Sequence, residues 1–342
     1  MNELSGTYRV LDASANRARE ALRVVEDFVR FVLEDRFLTE QLKELRHSLV
    51  QTLSQIPVSD RIAFRETQRD IGTTISVAGE FQRESLRHVV AANFSRLEES
   101  LRSLEEFSKG SFPTMAARME QLRYRTYTLQ RGVYYTLEGR AGLLATARWY
   151  GLIDTAGGEE KFVEKIRRWR TCGVTIFQLR DKKANDRQLV RYGKLLRSIL
   201  AEVPENRPVF ILNDRPDLAV VCQADGVHVG QEELSVREAR QILGKGKLVG
   251  VSTHSLRQAR QAVLDGADYI GVGPVFPSPT KTFETFPGLE LVREVSEEIT
   301  LPAFAIGGIR RSNVEKVYQA GLHRVAASQG MEELLDAARA EK

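Results

Sequence analysis

Cysteine is nearly absent from this sequence: 342 residues hold two, Cys172 and Cys222. Two thiols cannot build a disulfide framework or a cysteine-rich zinc site. Each stands beside an apolar run and reads as a buried free thiol, which fits a reducing, cytoplasmic setting. Long apolar runs are also missing, so no stretch approaches the length that spans a bilayer, and the N-terminus shows no basic-then-apolar leader. Charge of one sign is scarce: 50 Lys and Arg against 46 Asp and Glu leave a net +4, with no basic block. That argues against a nucleic-acid partner, while a slight positive excess suits phosphorylated metabolites. Neither a P-loop nor a kinase-type glycine-rich loop occurs.

What is present divides into two textures. Residues 1 to about 135 read as helices only. Asp12 or Ser14 is placed to cap a helix whose apolar positions Ala18, Leu22, Val25, Val29 and Val32 recur at three- and four-residue spacing. A second run (Leu38, Leu42, Leu45, Leu49, Leu53) stops before Pro57. Residues 58–80 are polar and irregular around RDIGTT, Arg69 to Thr74. A third run covers Leu86, Val90, Phe94, Leu97, Leu101 and Leu104, and a fourth extends to about Tyr135. EALRVVEDF (Glu20 to Phe28) aligns with ESLRSLEEF (Glu99 to Phe107). Each is followed by a leucine–arginine–ring step, at Leu45-Arg46-His47 and at Leu122-Arg123-Tyr124. Two copies of a helix pair related by an approximate dyad would give four helices, although Glu, Leu and Arg recur in any amphipathic helix.

Residues 136–147 read as a connection. Beyond it, short β-type runs alternate with amphipathic segments: Trp149–Asp154, Val174–Arg180, Val209–Asp214, Gly226–Gly230, Leu248–Thr253, Tyr269–Pro274, Ala303–Gly308 and Arg324–Ser328. Eight strand–helix units describe an α/β protein with a (β/α)8 TIM barrel over residues 143–342, preceded by an all-α helical domain over residues 1–137. A doubly wound open sheet is the runner-up.

Working residues of such barrels stand at the carboxyl ends of the strands. Here those ends carry Gln178, Arg180 and Lys182; Asn213 and Asp214; Glu233; Ser252; and, in YIGVGPVFPSPTK, Ser278, Pro279, Thr280 and Lys281. The last two ends carry Gly308, then Ser328 and Gln329. Arg and Lys offer cations for phosphate oxygens. Asp214 and Glu233 suit Mg²⁺, which favours a few carboxylates plus substrate phosphate. His228, in apolar surroundings, reads as core or orienting. A sugar-phosphate isomerase is the rival reading of a phosphate-binding barrel.

QLRDK, ND, DGVHVGQ, GVSTH, GPVFPSPTK and AIGGI, in this order and spacing, resemble the thiamin-phosphate synthase family over about residues 145–335. That resemblance implies condensation of a hydroxymethylpyrimidine diphosphate with a thiazole phosphate, both small molecules, with release of diphosphate. It gives Arg180, Lys182, Asn213, Ser252 and Lys281 to the diphosphate and Gln178 to the pyrimidine. It gives Asp214 and Glu233 to Mg²⁺, and Ser278 to Thr280, Gly308, Ser328 and Gln329 to the thiazole phosphate. Glu233 stands where the family usually has Asp, and Ser278 where it has Thr.

LDASANRAREALRVVEDFVRF, RDIGT and ANFSRLEESLRSLEEF resemble a short kinase domain fused ahead of some of these synthases. It implies ATP-dependent phosphorylation of hydroxymethylpyrimidine phosphate. Phosphoryl transfer needs cations and a carboxylate, so Arg17, Arg23, Asp27, Asp70, Arg96 and Glu98 are the candidates. The alternative is a non-catalytic dimerisation or regulatory module, and a homodimer through these helices is a further expectation.

Overall fold

In the computed structural model, residues 3–65, 67–68, 82–142, 144–203, 205, 207–277 and 286–340 are described, with backbone only at 3, 140, 141 and 340. The candidates Asp70, Ser278, Pro279, Thr280 and Lys281, and the RDIGTT stretch, lie outside the described residues. The chain forms two compact units, Met1–Val133 and Tyr134–Lys342.

The first unit is helical. Helix α1 (Glu3–Phe28) continues into a π-turn, Val29–Leu33, followed by α2 (Arg36–Leu53), α3 (Val58–Ala63), α4 (Leu86–Ser108) and α5 (Pro113–Ala141), whose last residues from Tyr134 count with the second unit. The start of α1 overturns the expected cap. Asp12 and Ser14 lie inside the helix and are buried. The Asp12 carboxylate is taken by Arg65 (2.6 and 2.8 Å), and Ser14 Oγ meets Ser103 Oγ at 3.0 Å. Ala18, Leu22, Val25 and Val29 are buried as expected, but Val32 is 44% exposed and Leu33 takes its place at 2%. A π-turn holds more residues per turn than an α-helix, so the apolar face slips forward by one position. The second run is buried throughout, capped by the Asp35 carboxylate accepting from Leu38 N–H at 2.7 Å. In the third run only Leu86, in the first turn of α4, is exposed.

The internal repeat carries an ion-pair signature. Buried Glu26 accepts from Arg23 (3.2 Å) and Arg46 (2.7 Å); buried Glu105 accepts from Arg102 (2.7 Å) and Arg123 (3.0 Å). All three members of the second triad occupy the aligned positions of the first. A carboxylate that is almost fully buried needs such partners, so the repeat is structural and not a coincidence of helix composition.

The second unit is a closed parallel barrel with strand order β1 to β8. Its strands are β1 (Trp149–Ile153), β2 (Ile176–Leu179), β3 (Val209–Asn213), β4 (Gly226–Val229), β5 (Leu248–Thr253), β6 (Tyr269–Val272), β7 (Ala303–Ile306) and β8 (Val325–Ala327). Between and after them run α6 (Gly158–Thr171), α7 (Asp186–Ala201), α8 (Pro216–Val221), α9 (Val236–Leu243), α10 (Leu256–Asp265), α11 (Gly288–Glu298), α12 (Val314–Gln319) and α13 (Met331–Ala340). β8 closes on β1, with Trp149 opposite Val325. The open-sheet alternative is thereby excluded. Capping boxes at Asn185–Gln188 and Ser235–Glu238 start α7 and α9.

Side chains fill the barrel in layers. Tyr150, Ile176, Val209, Ile211, Tyr269, Phe304 and Ala326 form one cluster with Leu144 and Ala147. Residues 136–147 are therefore not a simple connection: α5 occupies the first part, and Leu144 and Ala147 plug the barrel. Arg324 fixes the plug by donating to the carbonyls of Leu144, Ala145 and Ala147. Inner space is tight: a Cβ on Gly250 would fall 2.0 Å from the Tyr269 ring. Cys222 is buried as expected, whereas Cys172 is only half-buried, because it caps the end of α6.

The repeat makes a symmetric prediction. Glu26→Ala and Glu105→Ala should each destabilise the helical unit by about 1.5–3 kcal/mol, as for lost hydrogen bonds to charged groups. Urea unfolding followed by the helical signal checks this, and a cost confined to one of the two would contradict equivalent triads.

Candidate active site

Strand alternation sets which side chains reach the carboxyl end of the barrel. One step above the packed layer, Leu152, Gln178, Asn213, His228, Ser252, Gly271 and Ile306 line a cavity of about 290 Å³. Arg180, Gly308, Ser328 and Gln329 line the same cavity. Seven of the sequence-selected positions thus meet in one space.

The floor is a chain of polar contacts across the strands. Gln178 Nε2 donates to the Tyr150 hydroxyl (2.9 Å), which shares a hydrogen bond with the Tyr269 hydroxyl (2.9 Å). His228 Nδ1 lies 3.2 Å from that Tyr269 oxygen, and its Nε2 lies 3.0 Å from Ser252 Oγ. Burial raises both phenols above their ordinary value, so they stay protonated and can donate. His228, 8% exposed and held at both nitrogens, orients Ser252, as its apolar neighbours implied. The two tyrosines were missed in sequence; their inward position on β1 and β6 was the available signal.

The mouth carries the charges. Asp181 ties the turn after β2 together, accepting from Thr155 Oγ1 (2.6 Å), Thr155 N–H (3.1 Å), Lys183 N–H (2.8 Å) and Ala184 N–H (3.2 Å). Burial alone would raise its carboxyl, but these hydrogen bonds outweigh it and hold it below the usual range. The turn is thereby fixed with Arg180 and Lys182 on either side of Asp181. Among the described residues neither of these two side chains is hydrogen-bonded or ion-paired, so they are not rim salt bridges.

Asp214 leaves β3 in the left-handed region (φ 60°), which Asp tolerates better than most residues, and its N–H donates to His228 O at 2.8 Å. Asn213 Nδ2 donates to its carboxylate at 2.6 Å. Burial raises the Asp214 carboxyl and Glu233 raises it further, against Lys182, Arg180 and Asn213, which lower it. Glu233 folds back over the end of β4: a Cβ on Gly230 would fall 2.1 Å from Glu233 Oε2. A carboxyl raised by a neighbouring carboxylate is relieved by a cation between the two. Among the described residues no cluster of three or more His, Cys, Asp or Glu could hold a metal ion. A pair of carboxylates completed by substrate oxygens fits Mg²⁺.

The opposite wall is backbone. Gly308 has φ 62°, and a Cβ there would fall 2.5 Å from Pro277 O, so only glycine fits. Arg310, missed in sequence, lies against Gly330 and adds a cation beside Ser328 and Gln329.

Comparison with known proteins settles the family. A family model described as thiamine monophosphate synthase matches residues 149–331, more than half of the chain. The chain belongs to the thiamine-phosphate synthase family. A second model, described as the ThiD2 family, matches residues 9–132. A thiamine-phosphate synthase from Rhodopirellula baltica is 43% identical, covering 94% of this chain and 87% of that protein. One from Gloeobacter violaceus is 42% identical, covering 93% and 90%. Both units are therefore shared with these relatives, and the protein is a transferase of thiamine biosynthesis. Among the described residues no helix is long and apolar enough to cross a membrane.

Arg17 donates to Ser14 Oγ (3.1 Å), Arg23 is held in the Glu26 triad, Asp27 is half-buried and Arg96 is exposed. Glu98 is half-buried with Oε1 unpartnered among the described residues, and burial, then Glu99, raises its carboxyl. Among the described residues no hydrogen bond or ion pair joins these candidates to one another.

Removing Glu233 should release Asp214. In Glu233→Gln, the Asp214 carboxyl is expected to titrate at lower pH than in the parent, because Lys182 and Arg180 then act without the opposing carboxylate. Carboxyl-detected NMR titration checks the sign; an unchanged or higher titration point would contradict it.

Proposed function

We propose that the barrel joins 4-amino-2-methyl-5-(diphosphomethyl)pyrimidine to thiazole phosphate, giving thiamin phosphate and diphosphate. The observation that carries this reading is that Gln178, Arg180, Asn213 and Ser252 line one cavity, while Arg180, Lys182 and Glu233 act electrostatically on Asp214, next in sequence to Asn213. Arg180, Lys182, Asn213 and Ser252 hold the leaving diphosphate, together with Lys281. Gln178 faces the pyrimidine ring. Gly308, Ser328, Gln329 and Arg310 receive the thiazole phosphate, with Ser278, Pro279 and Thr280 on the other side.

The pyrimidine C–O bond breaks and diphosphate departs with the electron pair. The thiazole nitrogen then supplies the pair for the new C–N bond, so no covalent protein nucleophile is required. Cations aimed at the departing oxygens act where charge develops, and the cavity holds the two rings in line. Asp214 and Glu233 would hold Mg²⁺, whose charge would offset that of the diphosphate. The free thiols suit a cytoplasmic setting.

For the helical unit we propose ATP-dependent phosphorylation of hydroxymethylpyrimidine phosphate to the diphosphate that the barrel consumes. The match to the ThiD2 family and the resemblance of its motifs to the fused kinase domain support this. A second reading, a homodimerisation module, has support in the exposed side chains Phe31, Phe107 and Tyr124.

The intact protein given the pyrimidine diphosphate, thiazole phosphate and Mg²⁺ should release diphosphate, and Arg180→Ala should lower kcat/KM by about 100-fold or more, as for other lost charge-stabilising donors. Replacing the pyrimidine diphosphate by the monophosphate and ATP should give the same product. Absence of turnover in the first assay would remove the barrel assignment, and in the second alone the kinase assignment.

A further inference from the structure

The helical unit contains a cationic cluster that the sequence candidates do not include. Helix α3 packs on α1, and Arg65, just beyond α3, forks onto Asp12 with both oxygens engaged (2.6 and 2.8 Å). Arg61, one turn earlier, is 8% exposed, and its Nε is shut off from solvent with no partner among the described residues. Burial lowers the Arg61 guanidinium; Asp12 raises it, while Arg19 and Arg65 lower it further. Arg19 is exposed and, among the described residues, makes no ion pair or hydrogen bond. Arg61 and Arg65 therefore share the Asp12 carboxylate, both of whose oxygens Arg65 engages, and Arg19 adds a third positive charge that bears on Arg61.

A buried guanidinium without compensation is costly, and an arginine cluster with positive charge to spare matches phosphate oxygens in geometry and charge. The neighbouring surface is aromatic. Tyr8, one turn before Asp12, stacks on Phe64 with ring centres 5.4 Å apart, and Phe64 is 38% exposed beside Arg65. We propose that Arg19, Arg61 and Arg65 form the phosphate-binding site of the helical unit, taking a phosphorylated aromatic base with its ring toward Tyr8 and Phe64. The identity of that ligand rests on the kinase reading above. Two sources share this chemistry, the pyrimidine monophosphate and ATP.

Hydrogen–deuterium exchange of the intact protein tests the site locally, apart from the phosphate groups of the barrel. The probes are inorganic phosphate, the pyrimidine monophosphate and ATP, each added separately. Protection of peptides spanning residues 3–20 and 57–65 is expected, and whichever organic phosphate protects at lower concentration names the source. Arg19→Gln, at an exposed position that folding does not need, should raise the concentration required about tenfold, as for a lost charge-assisted hydrogen bond. Arg61→Lys should do the same while keeping one charge in place. No protection there by any probe, or protection that Arg19→Gln leaves unchanged, would overturn the site. Pyrimidine diphosphate formation without such protection would leave the kinase reading standing and this site removed. Protection sensitive to Arg19→Gln without diphosphate formation would keep the site and remove the kinase reading.

Discussion

Charge without a partner inside the protein is the constraint on which the barrel depends. Arg180 lines the cavity from the turn after β2, Lys182 follows it at an exposed position, and Glu233 bears on the half-buried Asp214 carboxylate at the neighbouring strand end. Such a set is destabilising by itself. It persists because Asp181 fastens the β2 turn, Asn213 and the His228 carbonyl fasten Asp214, and Gly230 leaves room for Glu233. In the proposed reaction, a diphosphate with a divalent cation would neutralise both pairs at once, turning local frustration into binding and leaving-group stabilisation.

Beneath this mouth the barrel interior is rigid and polar only where it can be satisfied. The Gln178–Tyr150–Tyr269–His228–Ser252 chain joins five strands, and each link has a partner. Fully connected buried networks fix side-chain positions, so Gln178 and Ser252 arrive at the cavity already oriented. Space for the Tyr269 ring comes from Gly250. The helical unit solves a parallel problem twice, with one buried glutamate between two arginines in each half of the repeat.

The barrel was legible because apolar runs of strand length alternate with amphipathic segments, and because inward and outward positions alternate along each run. That placed Gln178, Arg180, Asn213, Ser252, Gly308, Ser328 and Gln329 at one end before any fold was seen. Features set by contacts distant in sequence were hidden. Asp12 looks like a helix cap until Arg65 is known to reach it. Val32 looks buried until the π-turn moves the apolar face to Leu33. Leu144 and Ala147 look like linker until Arg324 gathers their carbonyls. The Arg19, Arg61 and Arg65 grouping has no spacing signature, since α3 brings two of its members to the third. The repeat was visible as a string match, but only the paired triads show what it preserves.

The central claim is that magnesium and diphosphate occupy one site and need each other there. Calorimetric titration of diphosphate into the intact protein, with and without Mg²⁺, tests it most directly. Binding should tighten at least about tenfold when Mg²⁺ is present, a coupling of roughly 1.4 kcal/mol, and Asp214→Asn should abolish that gain. Equal affinity in the two titrations would contradict the account.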